Sequence, residues 1–287
     1  MLKHPDVWLP PKKEIHFFDR SPKYPSPNTL STASPWARLA GSRTWERPKL
    51  ISDTVVVAKN LAKGRLRNAA WWSRWAFGHY DEEWYTGLFS QAPSRTECGE
   101  ITPAYSMLDR QDIDRIAVVN PEMKFIFMIR HPVERCWSTI RYNVDRGLSE
   151  LDLDAEAELI AYLQQPHVTL RADYERTIEN YLSRFDRKRI LVCFYDAIEA
   201  DPVGLMSSIT SFLGVAPFPR QSIDSETRVN ASPMREMPEH VRNHLWATYS
   251  PMIRRLADRF GSYAARWDAS GLAAADPQKA IPAALHP

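Results

Sequence analysis

KFIFMIRHPVERCWSTIRYN, Lys124 to Asn143, decides the fold. Its first six residues form an apolar run of strand length, read as a buried strand, and two arginines, a histidine, a proline and a serine then stand where a helix should start. A second run of the same kind, RILVCFY, spans Arg189 to Tyr195. Helical spacing of apolar residues fills the chain around these runs, in EAELIAYLQQ, YERTIENYLSRF and PEHVRNHLWATYSPMIRRLADRF. DPVGLMSSITSFLGV carries Pro202 near its first turn and Gly214 at its end, the order expected of a helix. Helices between all-apolar strands predict an α/β protein with a doubly wound parallel sheet.

In such a sheet the carboxyl end of a strand opens onto the ligand crevice, and the next helix points its N-terminus there. KFIFMI delivers Arg130 to that edge, and Pro132 has the fixed φ suited to a first helical turn. Arg135 and Ser138, three apart, share one helix face, so a hydroxyl and guanidinium groups stand close enough to hold a phosphate. The competing reading pairs Arg130 with an acidic neighbour, leaves Arg135 solvated and has Ser138 pack.

Working outward, 287 residues with 44% hydrophobic content suffice for a sizeable core. The net charge of +2 hides an asymmetry, because residues 1–80 hold fourteen Lys/Arg against five Asp/Glu. That stretch attracts anions or forms a solvated basic face. No nucleic-acid reading motif accompanies it, and a pI of about 8.4 is modest, so no nucleic-acid partner is expected. Cys98, Cys136 and Cys193 are widely spaced, odd in number and without metal-ligand spacing, which predicts a reducing, cytoplasmic setting and no metal. No run of 18 apolar residues occurs, so no membrane span is expected. The sequence carries no signal of oligomeric state.

Residues 21–50 are rich in Ser, Pro and Arg and read as a long surface excursion. Residues 53–90 read as helices with an aromatic face, in which Trp71, Trp72 and Trp75 belong to the core. At the start, MLKHPDVWLPPKKEIHFF reads as a helix end, a turn at Pro10 and Pro11, and an extended segment. Alternation in that segment puts Glu14 and His16 on one side. SRTECGEITPAYSML is a short extended piece ending at Thr102, followed by a helix over SMLDRQDIDRIAVVN. AAADPQKAIPAALHP is expected to be a flexible tail.

RHPVERCWS resembles the 3′-phosphate signature of sulfotransferases that use 3′-phosphoadenosine 5′-phosphosulfate (PAPS), in which an Arg, a Pro, a second Arg and a Ser recur at this spacing. HPDVWLPPKKEIHFFD, GEITPAY, the stretch from YERTIENYLSRF to ITSFLGV, and VNASPMREMP with LADRFGSYAARW are similar to further segments of that family, in the same order. The likeness lies with its heparan-sulfate and glycan-modifying branch and runs over most of residues 4–267, with 21–75 the least matched. It implies a three-layer α/β/α fold like that of P-loop NTPases, as one domain over 1–270 with a variable insertion at 21–75 and the tail at 271–287.

The resemblance implies sulfuryl transfer from PAPS to a hydroxyl or amine of a small-molecule or glycan acceptor, with adenosine 3′,5′-bisphosphate (PAP) as product. Arg130 and Ser138 then bind the 3′-phosphate, and Glu14 matches the catalytic base. His16 is placed to orient that carboxylate or the acceptor, or to serve packing alone, and Glu14 could equally sit in a surface ion pair. Lys12 or Lys13 attracts donor or acceptor. Glu100 and Tyr105 are candidate acceptor contacts or stabilisers of their own turn, and Arg228 is a candidate for closing over the nucleotide. The chemistry needs a base on the acceptor and positive charge on the donor, and it invokes no metal.

The family pattern also has an opening strand and a phosphate-cradling loop with Lys followed by Ser or Thr, which has no match in these residues. The chain as written is therefore expected to be weakly active or inactive, as a fragment or through a misplaced start. Two other functions stand beside this one. A P-loop-like kinase would need Mg²⁺ ligands at a strand end, and none is recognised. A non-catalytic nucleotide- or glycan-binding relative would keep the contacts without turnover.

Overall fold

The computed structural model describes residues 4–24, 34–41, 44, 46–219, 235–270 and 284–287. They form two compact units, residues 1–121 and 122–287.

In the first unit, β1 (Val7–Trp8) is followed by the helices α1 (Pro35–Ala40), α2 (Glu46–Ala62), α3 (Leu66–Phe77) and α4 (Glu82–Gly87). β2 (Glu97–Cys98), a 3-10 turn at Pro103–Met107 and α5 (Arg110–Val119) complete it. Its core is aromatic. Trp71 and Trp75, one turn apart on α3, stack at 5.8 Å, and Trp84 of α4 lies 5.4 Å from Trp75. Trp71 and Trp75 are fully buried, as their spacing predicts, whereas Trp72 is only half-buried. Each buried indole N–H finds an acceptor: Trp71 donates to Leu88 O, Trp84 to Arg74 O and Trp75 to Asp53. Gly78 ends α3 where any Cβ would fall 2.0 Å from the Trp84 ring, so the aromatic packing itself demands glycine. Arg38 is buried under the same turn, donating to Ala76 O and Gly78 O and lying over the Tyr80 ring at 3.8 Å.

In the second unit, β3 (Phe125–Ile129) leads into α6 (Pro132–Asp145), α7 (Glu156–Leu163), α8 (Pro166–Ala172) and α9 (Tyr174–Leu182). β4 (Ile190–Phe194), α10 (Ala197–Ala200), α11 (Pro202–Leu213), α12 (Glu239–Phe260), α13 (Ser262–Ser270) and β5 (Ala284–Leu285) follow. β3 and β4 pair in parallel over five residues, from Phe125 opposite Ile190 to Ile129 opposite Phe194. Every residue of β4 is buried. β3 is not buried as the sequence led us to expect, because Ile126 and Met128 are 37% and 42% exposed. Among the described residues β3 has a partner strand on one side only, so only alternate side chains find cover. α12 packs on α6, α7 and α13, and α11 is capped by Asp201, which accepts from Gly204 N, and by left-handed Gly214.

Two further expectations change. Residues 4–7 are not a helix end: Val7 and Trp8 pair in parallel with Glu97 and Cys98. The last residues are not free either. Ala284 and Leu285 add an antiparallel strand to β4, and His286 bonds Ile190 O at 2.8 Å. The sheet of the second unit is thus mixed, with one parallel and one antiparallel pairing. No described helix is long and apolar enough to cross a membrane.

Candidate functional site

In the first unit, the β1–β2 pairing brings residues 9–19 alongside residues 99–105, and Glu14 N donates to Ile101 O at 3.1 Å. The segment is not extended there. Glu14 and His16 both have positive φ, 56° and 60°, in the left-handed region that costs a side-chain-bearing residue on the order of 1 kcal/mol or more. What holds this backbone is a carboxylate beneath it. Glu100 is partly exposed as a residue, but its carboxylate is turned inward onto four donors: Ile15 N at 3.3 Å, Thr102 Oγ1 at 2.5 Å, Tyr85 OH at 2.8 Å and Tyr105 OH at 2.9 Å. The Tyr105 hydroxyl in turn accepts from Phe17 N at 3.0 Å. Burial raises the Glu100 pKa against those hydrogen bonds, and burial and the Glu100 charge push Tyr105 up as well. Glu100 and Tyr105, read from the sequence as acceptor contacts or as stabilisers of their own turn, make hydrogen bonds here that brace the segment.

On that brace, Ile15, Phe17 and Phe18 point into the core while the charged residues between them meet each other. His16 Nδ1 lies 2.7 Å from Asp19 Oδ2, and His16 Nε2 lies 3.3 Å from Glu14 Oε2. Asp19 is fully buried, His16 is 12% exposed at its side chain and Glu14 is 55% exposed, so the line runs from core to solvent. Burial alone would lower the His16 pKa, but the Asp19 hydrogen bond and charge, with help from Glu14, outweigh it and the pKa is raised. Glu14 Oε1 has no hydrogen-bond partner among the described residues, on a side chain that is more than half exposed. Lys13 is exposed, and Lys12 is half-buried with its ammonium 5.0 Å from the centre of the Trp75 ring.

In the second unit, Arg130 follows the carboxyl end of β3, as its position in the sequence predicts. Its guanidinium lies 4.9 Å over the Tyr195 ring and 3.7 Å from Glu134 on the first turn of α6. Both partners of that ion pair are about a third exposed, at 30% and 35%, so the pair is weak and open to exchange. Tyr174 OH donates to Arg130 O at 2.8 Å and fixes the backbone of the turn. Ser138 is half-buried, and its hydroxyl has no partner among the described residues. Arg135 holds a buried Nη1 that is likewise unpartnered among them. His131 is buried between Trp246 and Trp267, neither ring nitrogen has a partner among the described residues, and burial with the neighbouring Arg130 charge lowers its pKa to about 4. Arg228 lies outside the described residues. No group of three His, Cys, Asp or Glu able to hold a metal ion occurs among the described residues.

Sequence reasoning quoted Asp19 only as part of a motif, and it missed Tyr195 and Tyr85. Tyr195 had a signal, since it is the first residue past the carboxyl end of a parallel strand, where ligand contacts gather. Tyr85 had none, because a hydroxyl reaching Glu100 from α4 leaves no trace in local spacing.

A sequence model described as the sulfotransferase family matches residues 18–220, which include Arg130 and Ser138 but begin after Glu14 and His16. The crystal structure of a sulfotransferase from Alicyclobacillus acidocaldarius is similar to this chain with a TM-score of 0.58 and 23% identity, covering 92% of this chain and 89% of that one. No curated protein matches. A match over residues 18–220, together with that shared fold, makes the chain a member of the sulfotransferase family.

Proposed function

We propose that the protein moves a sulfuryl group from PAPS to a hydroxyl or amine of a small-molecule or glycan acceptor, and that Glu14 is its base. The observation that carries this is the line Asp19, His16, Glu14, which ends in a solvent-exposed carboxylate. The donor, when bound, supplies the sulfuryl group and a PAP leaving group. Glu14 Oε1 takes the acceptor proton while the acceptor oxygen or nitrogen forms its bond to sulfur and the sulfur–phosphate oxygen bond breaks. His16, held by Asp19, keeps Oε2 engaged and leaves Oε1 to the acceptor.

Arg130 and Ser138 are the residues we assign to the 3′-phosphate. The site chemistry fits an anion: a partly exposed guanidinium in a weak ion pair lies on one strand-to-helix stretch with the Ser138 hydroxyl and the buried Arg135 Nη1, neither of which has a partner among the described residues. Lys13 and Arg228 remain candidates for acceptor and nucleotide, respectively. Three free cysteines support a reducing, cytoplasmic setting. Calorimetric titration of PAP into the protein and into Arg130→Ala and Ser138→Ala, followed by a transfer assay on Glu14→Gln, tests the assignment. PAP binding lost in both variants, with transfer lost in Glu14→Gln, supports it. PAP binding without transfer in the unaltered protein would favour the non-catalytic relative, and transfer that requires Mg²⁺ and a nucleoside triphosphate would favour the kinase.

A further inference from the structure

Residues 35–78 hold nine of the fourteen Lys/Arg found in residues 1–80, against two acidic residues, Glu46 and Asp53. Both acids lie on α2 and both are buried, with Asp53 accepting from Lys49 Nζ and from the Trp75 indole. No carboxylate is therefore exposed on α1, α2 or α3. Arg47, Lys59, Lys63 and Arg65 are exposed and make no ion pair among the described residues. α2 also carries apolar residues on two faces. Glu46, Leu50, Asp53 and Val57, spaced four, three and four apart, form its buried stripe. Ile51, Val55, Ala58 and Ala62 repeat that spacing on the opposite face, where Ile51 is 54% and Val55 45% exposed. At about 100° per residue, Arg47 and Lys59 border this outer strip on its two sides. α1, which packs on α2, leaves Trp36 76% exposed.

We propose that the outer face of α2 docks on an anionic lipid surface. The apolar strip enters the headgroup region while Arg47 and Lys59 meet lipid phosphates, the arrangement of an amphipathic helix lying in the interface plane. An exposed tryptophan on the adjoining helix suits the same boundary. Charge selects the occupant. A second copy seated by two-fold symmetry would press this face on itself, cation against cation, with no exposed acid to compensate. A soluble polyanion would satisfy the cations and leave Ile51 and Val55 in water. A lipid surface answers both features at once.

Co-sedimentation of the full chain with vesicles tests this, using phosphatidylcholine alone and phosphatidylcholine mixed with an equal part of phosphatidylglycerol. The mixed vesicles are expected to bind about 10-fold more tightly or better, since each cation at such a surface adds about five-fold. Ile51→Ser combined with Val55→Ser weakens that binding by about 10-fold, and Ile51→Leu combined with Val55→Leu retains it. Arg47→Gln combined with Lys59→Gln weakens it by about 10-fold or more. The melting temperature stays in place in all of them, because the replaced side chains are exposed. A polarity-sensitive fluorophore on Val55→Cys, in a Cys98→Ser background, shifts to the blue with mixed vesicles. The same label on Glu158→Cys, at an exposed position of the second unit, does not shift. No binding to either vesicle, equal binding to both, binding that survives Ile51→Ser with Val55→Ser, or equal shifts at the two labels overturns the proposal. So does a concentration-dependent dimer of the unaltered protein that the same pair of serine substitutions disrupts.

Discussion

The two candidate sites are built by opposite means. Residues 130–138 stand where regular structure puts them, at the end of a five-residue parallel strand and the start of a 14-residue helix. Residues 14–19 stand in an irregular loop with two left-handed residues, held by one inward-facing carboxylate and its four donors. The first kind of site draws its precision from backbone hydrogen bonds that any suitable sequence would make. The second depends on particular side chains far apart in sequence, so its chemistry and its stability are tied together.

The sharpest way to break that comparison is to remove chemistry without touching the brace. Glu14→Gln is expected to lower the transfer rate by about 10²- to 10⁴-fold, with the melting temperature unchanged, because Glu14 is exposed and contributes little to packing. Removing the brace itself should have the converse signature. Glu100→Ala leaves Tyr85, Tyr105, Thr102 and Ile15 N without their shared acceptor and is expected to cost about 3 kcal/mol in denaturant unfolding. If Glu100→Ala unfolds like the unaltered protein, the loop is held by something else.

Each site also holds one histidine with little exposure, and the pKa values of the two are shifted in opposite directions. The folded pKa of His131 is depressed to about 4 from an ordinary 6.5, so the unfolded chain takes up a proton first as the pH falls. Stability should therefore fall by about 3 kcal/mol between pH 6.5 and 4, and His131→Phe should abolish this part of the slope. The folded pKa of His16 is raised, so its contribution is fully present below about pH 6.5 and is lost as the pH rises through the folded value. Urea unfolding across pH with His16→Gln should show a flatter alkaline limb, and equal slopes for both variants would erase the contrast.

Smaller effects are expected at the regular site. Arg130→Ala should weaken PAP binding by about 10- to 100-fold, and its baseline stability should barely move because the Glu134 pair it gives up is partly exposed. Tyr174→Phe, which removes only the hydroxyl on Arg130 O, should cost about 1 kcal/mol.

The same division governs what could be read from the sequence. Apolar runs located β3 and β4, and apolar periodicity with Pro202, Gly214 and the α12 pattern located the helices, since these signals report local backbone geometry. The exposure of Ile126 and Met128 was invisible, because burial of a strand depends on its neighbours and an apolar run does not name them. Period-two alternation put Glu14 and His16 on one side, and they do meet, but through two left-handed residues that alternation would have forbidden. Asp19 and Glu100 act across three and 85 residues of separation, respectively, and only the second distance lies wholly beyond local pattern.

The β5 pairing also bears on how the chain finds its fold. Val192 meets Leu285 and Cys193 meets Ala284 across about 90 residues, whereas β3 meets β4 across about 65. Closing the longer loop for two residue pairs costs more chain entropy and returns fewer hydrogen bonds than closing the shorter one for five. The β3–β4 ribbon should therefore form early and the terminal strand late, so that substitutions at Leu285 quicken unfolding while leaving the refolding rate almost untouched.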